Sequence, residues 1–347
     1  MILQSLRLRF FRNFEEKIFH FKPGKNIIIW NNGVWKTNIL EALALPQSHL
    51  SEWNPAYLVK KWADILNIDY YFDNSELRYI YSLPDNKKKF FLEKKSLSKK
   101  RFQAKYPHII SFHPQMMELL YGSPSWRRSF LDTLLIQTFP EYEKKLTYYK
   151  KIIISRNKIL ARIGEWKSHI SELSFWDNQY LVSLLEVYSY RDKLVKYLEC
   201  NIREMNTYFF WKVQNIHFHL ISKTPREKRW EYISKYIIDS RDKEIYQRKT
   251  LRWPHLDDFE IRVDDVSLTH YASRWEVKSI FLWLKFLWWD FILQHSLKQD
   301  ILFLIDDIFS ELDTQHMNLI YNYIWKRQCI ISSIRDIETI EAEKIYL

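Results

Sequence analysis

The feature that most constrains this chain is a β-branched run that leads directly into the frame of a phosphate-binding loop. Residues 26–29 read Asn-Ile-Ile-Ile, and the spacing G-x-x-x-x-G-K-[ST] follows, with Trp30 and Trp35 at the two glycine positions before Lys36 and Thr37. Such a loop wraps bare backbone N–H groups around phosphate oxygens, which requires backbone angles and a close approach that glycine permits. An indole at either position would fill the phosphate site.

The loop lies between a strand and a helix, which is the context that this motif requires. Residues 38–44 have the pattern of a helix start. Lys36 would meet the β and γ phosphates of a nucleotide, and the Thr37 hydroxyl would complete the shell of a Mg²⁺ ion. The sequence predicts an ATP and Mg²⁺ site formed by Trp30, Asn31, Asn32, Gly33, Val34, Trp35, Lys36 and Thr37.

Glycine is scarce along the whole chain and tryptophan is abundant. The 347 residues include 4 Gly and 15 Trp, whereas average usage is roughly 7% Gly. We hypothesise that the source reads the UGA codon as glycine, so that many of these tryptophans are glycines in the native protein. Trp253, Trp275, and Trp166 or Trp230 in turn-like polar surroundings also fit this hypothesis. The alternative is a Trp-rich protein whose loop match is accidental or decayed.

The composition is that of a globular protein with an excess of positive charge. Hydrophobic residues make up 47% of the chain and the net charge is +11, which favours a polyanionic partner such as nucleic acid, although an AT-rich genome would also enrich lysine. Cys200 and Cys329 lie far apart, so they indicate neither a disulfide framework nor a zinc cluster and predict a reduced, cytoplasmic setting. Lys285 and Asp290 interrupt the apolar stretch 280–293, which predicts a buried helix and no membrane span.

The hydrophobic pattern divides the chain into three segments. Residues 1–110 predict the N-terminal half of an ATPase head, with two strands in the first 30 residues and hairpins over 57–105. Residues 111–248 predict an inserted helical arm, since the pattern is helical from about 115 to 245. Residues 249–347 predict the other half of the head, with a strand at 259–263, the apolar helix and a final strand pair.

A basic run spans the last hairpin of the first segment. It contains Lys87, Lys88, Lys89, Lys94, Lys95, Lys99, Lys100 and Arg101, interleaved with Phe90, Phe91 and Phe102. A phosphate-contacting edge and a solvated hairpin are equally compatible with this pattern.

A second chemical motif lies near the C-terminus. Residues 301–305 are a continuous apolar run, typical of a parallel strand buried on both faces, and Asp306 and Asp307 follow. Asp306 would hold Mg²⁺, and Asp307 could polarise the attacking water as the catalytic base alongside Lys36. The histidines have no metal-ligand spacing.

Five further stretches agree with one protein family in order along the chain. They are residues 7–14, 122–132, 253–258, 273–276 and 306–313. With the loop, they resemble the RecF family of bacterial recombinational repair, within the ABC-type ATPases that include the SMC proteins. The last three correspond to the family's G-P-H-x-D-D motif, ABC signature, and Walker B plus D-loop. The resemblance implies an α/β fold: an ABC-type P-loop ATPase head, with a mixed or parallel sheet and flanking helices, and an inserted α-helical arm.

The same resemblance implies a head-to-head, ATP-dependent homodimer. In such dimers the signature of one subunit faces the γ-phosphate held by the other, so Ser273 and Trp275 would complete the site in trans and Asp313 would act across the interface. Arg12, in the opening motif, joins the implied nucleotide-binding residues. A signature at a helix N-terminus offers N–H groups to an anion.

Several motif residues are open to a structural or a functional interpretation. Arg127 and Arg128 could bind DNA or pair with carboxylates such as Asp132 on nearby helical turns, and we favour a structural or switch-coupled role. His255 and Asp258 could be catalytic or could orient their loop. Trp176 matches an aromatic position of the family, whereas Trp288 and Trp289 cannot be assigned.

The resemblance implies an ATP-gated DNA-binding protein that promotes recombinase loading at single-strand gaps, with slow hydrolysis, and with RecO, RecR and RecA as partners. One alternative is another SMC-like or transporter ATPase. Against an SMC protein, the insert between Lys36 and Asp306 is too short for a long coiled coil. Against a transporter subunit, the net positive charge of the chain would be unexplained. The other alternative is a non-enzymatic DNA-binding scaffold that has lost its nucleotide site.

Overall fold

A computed structural model describes residues 1–29, 35–47, 54–113, 121–202, 215–251, 257–268, 274–296, 300–306, 324, 327–334 and 342–346. The strands are β1 (Leu3–Phe11), β2 (Phe14–His20), β3 (Lys25–Ile29), β4 (Ile65–Phe72), β5 (Ser75–Ser82), β6 (Lys87–Leu92), β7 (Lys95–Leu97), β8 (His108–Phe112), β9 (Ile216–Ile221), β10 (Asp258–Val263), β11 (Val266–Ser267), β12 (Ile301–Asp306), β13 (Gln328–Ser333) and β14 (Glu343–Tyr346). The helices are α1 (Trp35–Ala44), α2 (Lys99–Lys105), α3 (Pro124–Thr138), α4 (Pro140–Gly164), α5 (Ser171–Asn201), α6 (Arg229–Asp239), α7 (Arg241–Gln247) and α8 (Arg274–His295).

Strands from both ends of the chain form one parallel sheet. Its order is β14-β3-β13-β12-β8, and every adjacent pair in it is parallel. The residues of β12 before Asp306 and all those of β13 are buried, as expected for strands covered on both faces. The predicted strand at 26–29 is confirmed. The sequence predicted a final pair of strands, whereas three strands, β12 to β14, join this sheet.

An antiparallel sheet of order β2-β1-β4-β5-β6-β7 occupies the same unit of the chain. In β5, the buried residues Leu77, Tyr79 and Tyr81 alternate with half-buried ones. This period of two gives the sheet one apolar face. That face shares a core with α1, α2 and the parallel sheet.

The chain divides into two compact units, one formed by residues 1–116 with 297–347 and the other by residues 117–296. The domain boundaries at 110 and 248 stay a prediction. In the second unit α4 and α5 form a helical hairpin around a buried ionic cluster: Arg156, with no exposed side-chain area, donates to Asp177 at 2.9 Å, Glu244 at 2.6 Å and Thr250 at 2.7 Å. Such a cluster tolerates burial because every charge has a partner.

The predicted α/β architecture with a helical insert is confirmed, with local corrections. The stretch from 115 to 245 is not helical throughout, because β9 pairs with β10 and Phe218 stacks on Phe259 at 4.9 Å. Trp230 lies in α6 and not in a turn. The predicted buried helix at 280–293 is confirmed as part of α8. No helix in the described ranges combines the length and apolar character that crossing a bilayer requires.

Candidate nucleotide site

The site lies at the carboxyl edge of the parallel sheet. In the strand register, Asp306 at the end of β12 lies beside Ser332 of β13, and Ser332 lies beside Ile28 of β3. Because all these strands run in the same direction, their carboxyl ends meet at one edge, where ligands of such sheets bind. β3 ends at Ile29, and α1 begins at Trp35.

Two residues predicted to hold Mg²⁺ are in direct contact. The Thr37 hydroxyl donates a hydrogen bond of 3.1 Å to Oδ2 of Asp306, across 269 positions of sequence. The Ser332 hydroxyl donates to the other carboxylate oxygen, Oδ1. Lys36, in the first turn of α1, is buried with 6% of its side chain exposed. The predicted pair of loop and Walker B residues is therefore brought together by the fold.

Arg12 also contacts α1. Its Nη2 donates to Oε2 of Glu41 at 2.8 Å, and its backbone N–H donates to the Leu58 carbonyl at 2.7 Å. Burial raises the pKa of the Glu41 carboxyl, the Arg12 guanidinium opposes this shift, and the charge of Asp306 adds to it. Glu41 and Asp306 are therefore close enough to repel each other, so a cation near them would be stabilised.

Glu41 and Ser332 are site residues that the sequence analysis missed. Glu41 lies four positions after Thr37, so the helical period places both on one face of α1, and this spacing was a usable signal. Ser332 carried no local signal, since only the strand register places it beside Asp306. The Asn38 side-chain amide is buried, and among the residues that the structure describes neither its oxygen nor its nitrogen has a hydrogen-bond partner.

Other predicted site residues lie outside the described ranges. They are Trp30, Asn31, Asn32, Gly33, Val34, Ser273, Asp307 and Asp313, together with Trp253 and His255 of the G-P-H-x-D-D match. Trp35 and Trp275 lie in the first turns of α1 and α8, and the structure describes only their backbone.

One tryptophan outside the motifs occupies a backbone position that strongly favours glycine. Trp62 has φ of 79° and a fully exposed side chain at 101%. The Ala63 N–H donates to the Lys60 carbonyl at 3.0 Å, which makes Trp62 the third residue of a four-residue turn. A type II turn has φ near +80° at this position and requires glycine or asparagine there.

A second tryptophan, just after the end of α4, also has a left-handed backbone. Trp166 has φ of 58° and a side chain that is 96% exposed. Its N–H donates to the Ile163 carbonyl at 3.0 Å, and the Lys167 N–H donates to the Arg162 carbonyl at 2.8 Å. These two bonds define a Schellman motif, whose left-handed residue is usually glycine. Neither Trp62 nor Trp166 offsets its backbone strain by burial.

Arg127 of the 122–132 motif is held in a two-pronged ion pair. Arg127 holds both carboxylate oxygens of Asp258, at 2.6 and 2.7 Å, and also donates to the Gly122 carbonyl. Asp132 accepts from Arg191 at 2.8 Å, and within the described ranges it forms no ion pair with Arg127 or Arg128, the pairing that the sequence suggested as one possibility. The bidentate pair fixes Asp258 at the start of β10, which supports a structural role for Arg127 and an orienting role for Asp258.

A helix that follows the motif loop and meets a strand-end aspartate, on a parallel sheet that shares a core with an antiparallel one, is the fold of ABC-type ATPase heads. Among solved structures, a recombination mediator protein RecF with ATP has a TM-score of 0.83 at 19% identity, covering 98% of this chain and 93% of that one. The Smc head domain of Pyrococcus furiosus has a TM-score of 0.54 at 15% identity, over 99% and 92% of the two chains. The predicted head fold is confirmed.

Curated relatives define the family. The protein named DNA replication and repair protein RecF from Ligilactobacillus salivarius is 30% identical over 329 residues, which cover 90% of this chain and 85% of that protein. Its namesake from Lactobacillus johnsonii is 29% identical over 362 residues, or 99% and 95% of the two chains. No protein-family model matches the chain. The chain belongs to the RecF family of DNA replication and repair proteins.

Proposed function

We propose that this chain is an ATP-gated DNA-binding protein that promotes recombinase loading at single-strand gaps. The observation that carries the nucleotide part is the contact of Thr37 with Asp306, beside the buried Lys36 at the start of α1. This arrangement provides a hydroxyl, a carboxylate and an amine where a triphosphate with its metal ion would lie. Family membership supports the repair context, and the net charge of +11 supports a nucleic-acid partner.

The residues present fit Mg²⁺ and ATP in their chemistry. Thr37 and Asp306 supply the oxygen ligands that a small hard cation prefers, and the mutual repulsion of Asp306 and Glu41 would be relieved by a cation. The metal ion, when bound, would neutralise charge on the phosphate oxygens. Lys36 would bind those oxygens, Ser332 would orient Asp306, and Arg12 would hold Glu41 on α1.

Gating would follow from a nucleotide shared by two subunits. Ser273 and Asp313 would contact the nucleotide or the interface from the partner, so ATP would favour the dimer and hydrolysis, with Asp307 as base, would release it. RecO, RecR and RecA would be partners in the cytoplasm, and turnover would be slow, as for a switch.

The nucleotide site requires glycine at positions 30, 35, 253 and 275, and we propose that the native protein has it through UGA recoding. Support independent of the phosphate loop comes from Trp62 and Trp166, which occupy two different glycine-favouring turns with exposed side chains. In the described ranges, Trp176 and Trp230 lie in helices instead. Tryptophan thus stands at two turn positions where its side chain is almost fully exposed.

Direct measurement decides between this proposal and a scaffold that has lost its nucleotide site. Intact mass spectrometry of natively expressed protein reports the residue mass, and tandem spectra of peptides covering positions 30, 35, 62 and 166 locate each substitution. Glycine at these positions, with UGA codons in the gene, is the expected result. UGG codons and a mass that agrees with all 15 tryptophans would favour the scaffold.

The two turn tryptophans give a stability prediction. We expect Trp62→Gly and Trp166→Gly each to stabilise the folded chain by about 1 kcal/mol. A left-handed conformation costs a non-glycine residue roughly 1–2 kcal/mol, and glycine avoids this cost. Part of the gain is lost because glycine has more conformational entropy in the unfolded chain. Urea denaturation measures the change. Trp176→Gly, in the interior of α5, is the matched control and should destabilise by at least ~1 kcal/mol. A loss of stability in all three variants would contradict the assignment of these turns.

A further inference from the structure

The arginine of the opening motif lies at a strained position of the backbone. Arg12 and Asn13 form the two-residue loop between β1 and β2, since Phe11 pairs with Phe14 across it. Arg12 has a φ of 51°, in the left-handed region that few residues other than glycine adopt. Such a conformation persists only where contacts with the rest of the fold maintain it. The contacts of Arg12 therefore indicate what its side chain does.

Arg12 is held both by its backbone and by its side chain. Its backbone N–H donates to the Leu58 carbonyl at 2.7 Å. Its Nη2 donates to Oε2 of Glu41 at 2.8 Å, and the side chains of Arg12 and Glu41 are 32% and 12% exposed. A hydrogen bond between two charged groups is stronger than a neutral one, and partial exclusion of water strengthens it further. The backbone bond places the loop, and the bond to Glu41 fixes the guanidinium.

Glu41 lies on a part of α1 that the core holds rigidly. Ala42 and Leu43, the next two residues, have no exposed area. Their carbonyl oxygens accept hydrogen bonds of 2.8 Å from the hydroxyls of Tyr70 and Tyr106. Arg12, by contrast, lies in a hairpin loop. The carboxylate of Glu41 therefore determines where the guanidinium of Arg12 lies.

The bond to Glu41 leaves part of the guanidinium for another partner. Glu41 accepts from Nη2, whereas the Nε atom of Arg12 is buried and has no hydrogen-bond partner within the described ranges. A buried N–H without a partner costs free energy, and arginine binds phosphate oxygens through pairs of its N–H groups. Arg9 shares the unpartnered Nε, so this feature alone assigns no role to Arg12.

The position of Glu41 connects the ion pair to the nucleotide site. Glu41 lies one helical turn after Thr37, whose hydroxyl contacts Asp306 at 3.1 Å. Burial raises the pKa of the Glu41 carboxyl, Arg12 lowers it, and the charge of Asp306 raises it, which places Glu41 within electrostatic range of Asp306. A guanidinium held by Glu41 is therefore beside the space where the triphosphate would lie.

We propose that Glu41 is a positioning residue for nucleotide binding, which holds the guanidinium of Arg12 ready to contact the phosphates. This inference rests on the proposed function and deepens it by adding a residue to the same site. Repulsion alone predicts the opposite sign: a carboxylate beside a triphosphate repels it, so removing Glu41 would tighten ATP binding. Positioning predicts weaker binding, because without Glu41 the guanidinium is free to turn away.

The test uses the chain with glycine at positions 30, 35, 253 and 275 as its starting protein. The variants are Glu41→Ala, Glu41→Gln, Arg12→Ala, and Arg12→Ala combined with Glu41→Ala. The matched control is Glu16→Ala, which removes the ion pair that Arg7 forms across β1 and β2. Isothermal titration calorimetry measures the affinity for ATP with Mg²⁺ and again in EDTA, and urea denaturation measures the stability of each variant.

We expect Glu41→Ala to bind ATP roughly 10- to 100-fold more weakly, both with Mg²⁺ and in EDTA, as for the loss of one charge-assisted hydrogen bond. The double variant should bind no more weakly than Arg12→Ala, because Glu41 acts only through Arg12. Glu41→Gln should retain part of the affinity, since its amide oxygen can still accept from Nη2. Glu16→Ala should bind ATP as the starting protein does.

Three results would overturn the proposal. The first is unchanged or tighter ATP binding by Glu41→Ala, with or without a change in its stability. The second is a loss that appears only with Mg²⁺, which would assign Glu41 to the metal ion. The third is a double variant whose loss is the product of the two single losses. If Glu41→Ala does not fold, Glu41→Gln decides, with a smaller loss that vanishes when Arg12 is alanine as the expected result.

The same titrations separate this proposal from the proposed function. If the chain with the four glycines binds no ATP, the proposed nucleotide function is wrong and the role of Glu41 is wrong with it. If that chain binds ATP and Glu41→Ala binds it equally well, the nucleotide function stands and only the role of Glu41 is wrong.

Discussion

Placing glycine at positions 30, 35, 253 and 275 is expected to create ATP binding in a chain that otherwise has none. In the chain with all 15 tryptophans, two indoles would occupy the place of the phosphates, whereas glycine would expose the backbone N–H groups. We expect the affinity for ATP with Mg²⁺ to differ by more than about 1,000-fold, equivalent to roughly 4 kcal/mol. Isothermal titration calorimetry on both chains measures the difference.

Two variants of the glycine chain assign roles within this site. Lys36→Ala should abolish nucleotide binding, because the buried amine is the cation expected to contact the β and γ phosphates. Asp307→Asn should retain binding and prolong the ATP-dependent dimer, observed by sedimentation, because only hydrolysis is slowed. Equal loss of binding in both variants would contradict these roles, and a glycine chain that neither binds ATP nor dimerises would refute the proposed mechanism.

The second large effect is expected at Lys285, a buried amine in α8. Its Nζ lies over the rings of Trp288, Phe130 and Phe281, at 4.1, 5.5 and 5.6 Å from their centroids, and no described carboxylate pairs with it. Burial lowers the pKa of Lys285 to about 7, whereas an unfolded lysine has a pKa near 10.4. Between these values the unfolded chain binds more protons, so stability should rise as the pH rises from 7 toward 10.

Replacing this amine by an apolar side chain of similar length should remove the penalty. We expect Lys285→Met to raise the free energy of unfolding at pH 7 by on the order of 3 kcal/mol, and the advantage to shrink as the pH approaches 10. Urea denaturation at pH 7, 8, 9 and 10, followed by circular dichroism, measures both. Lys196→Met, an exposed position on α5, should change neither quantity. A pH-independent difference between Lys285→Met and the unchanged chain would show that Lys285 is not titrating.

Local patterns were sufficient for much of the fold. The β-branched run predicted β3, and the apolar run before Asp306 predicted a buried parallel strand, because the side-chain environment of a strand is encoded residue by residue. β9 was missed, since a six-residue strand within a long helical stretch is stabilised by its pairing with β10 and not by its own pattern. α2 was missed for a related reason: the burial of Phe102 against Phe90 stabilises it.

The site was predictable only in part. The motif spacing named Lys36, Thr37 and Asp306, and the helical period could have added Glu41. The pairing of Arg127 with Asp258, at a separation of 131 residues, could not have been read from the helix that carries Arg127. Backbone geometry was also needed to tell two tryptophans apart. Trp62, which the sequence analysis passed over, has the left-handed backbone of a turn, whereas Trp230, which it selected, lies in α6.

By itself, the order of residues determined the class of loop, the residue types that could hold a phosphate and a metal ion, and the conflict between tryptophan and the glycine positions. Tertiary structure decided which of those residues meet: Thr37 contacts Asp306 because β3, β13 and β12 are neighbouring parallel strands that end at one edge. Strand order depends on the burial of the whole sheet, which is a property of distant segments acting together and not of any single motif.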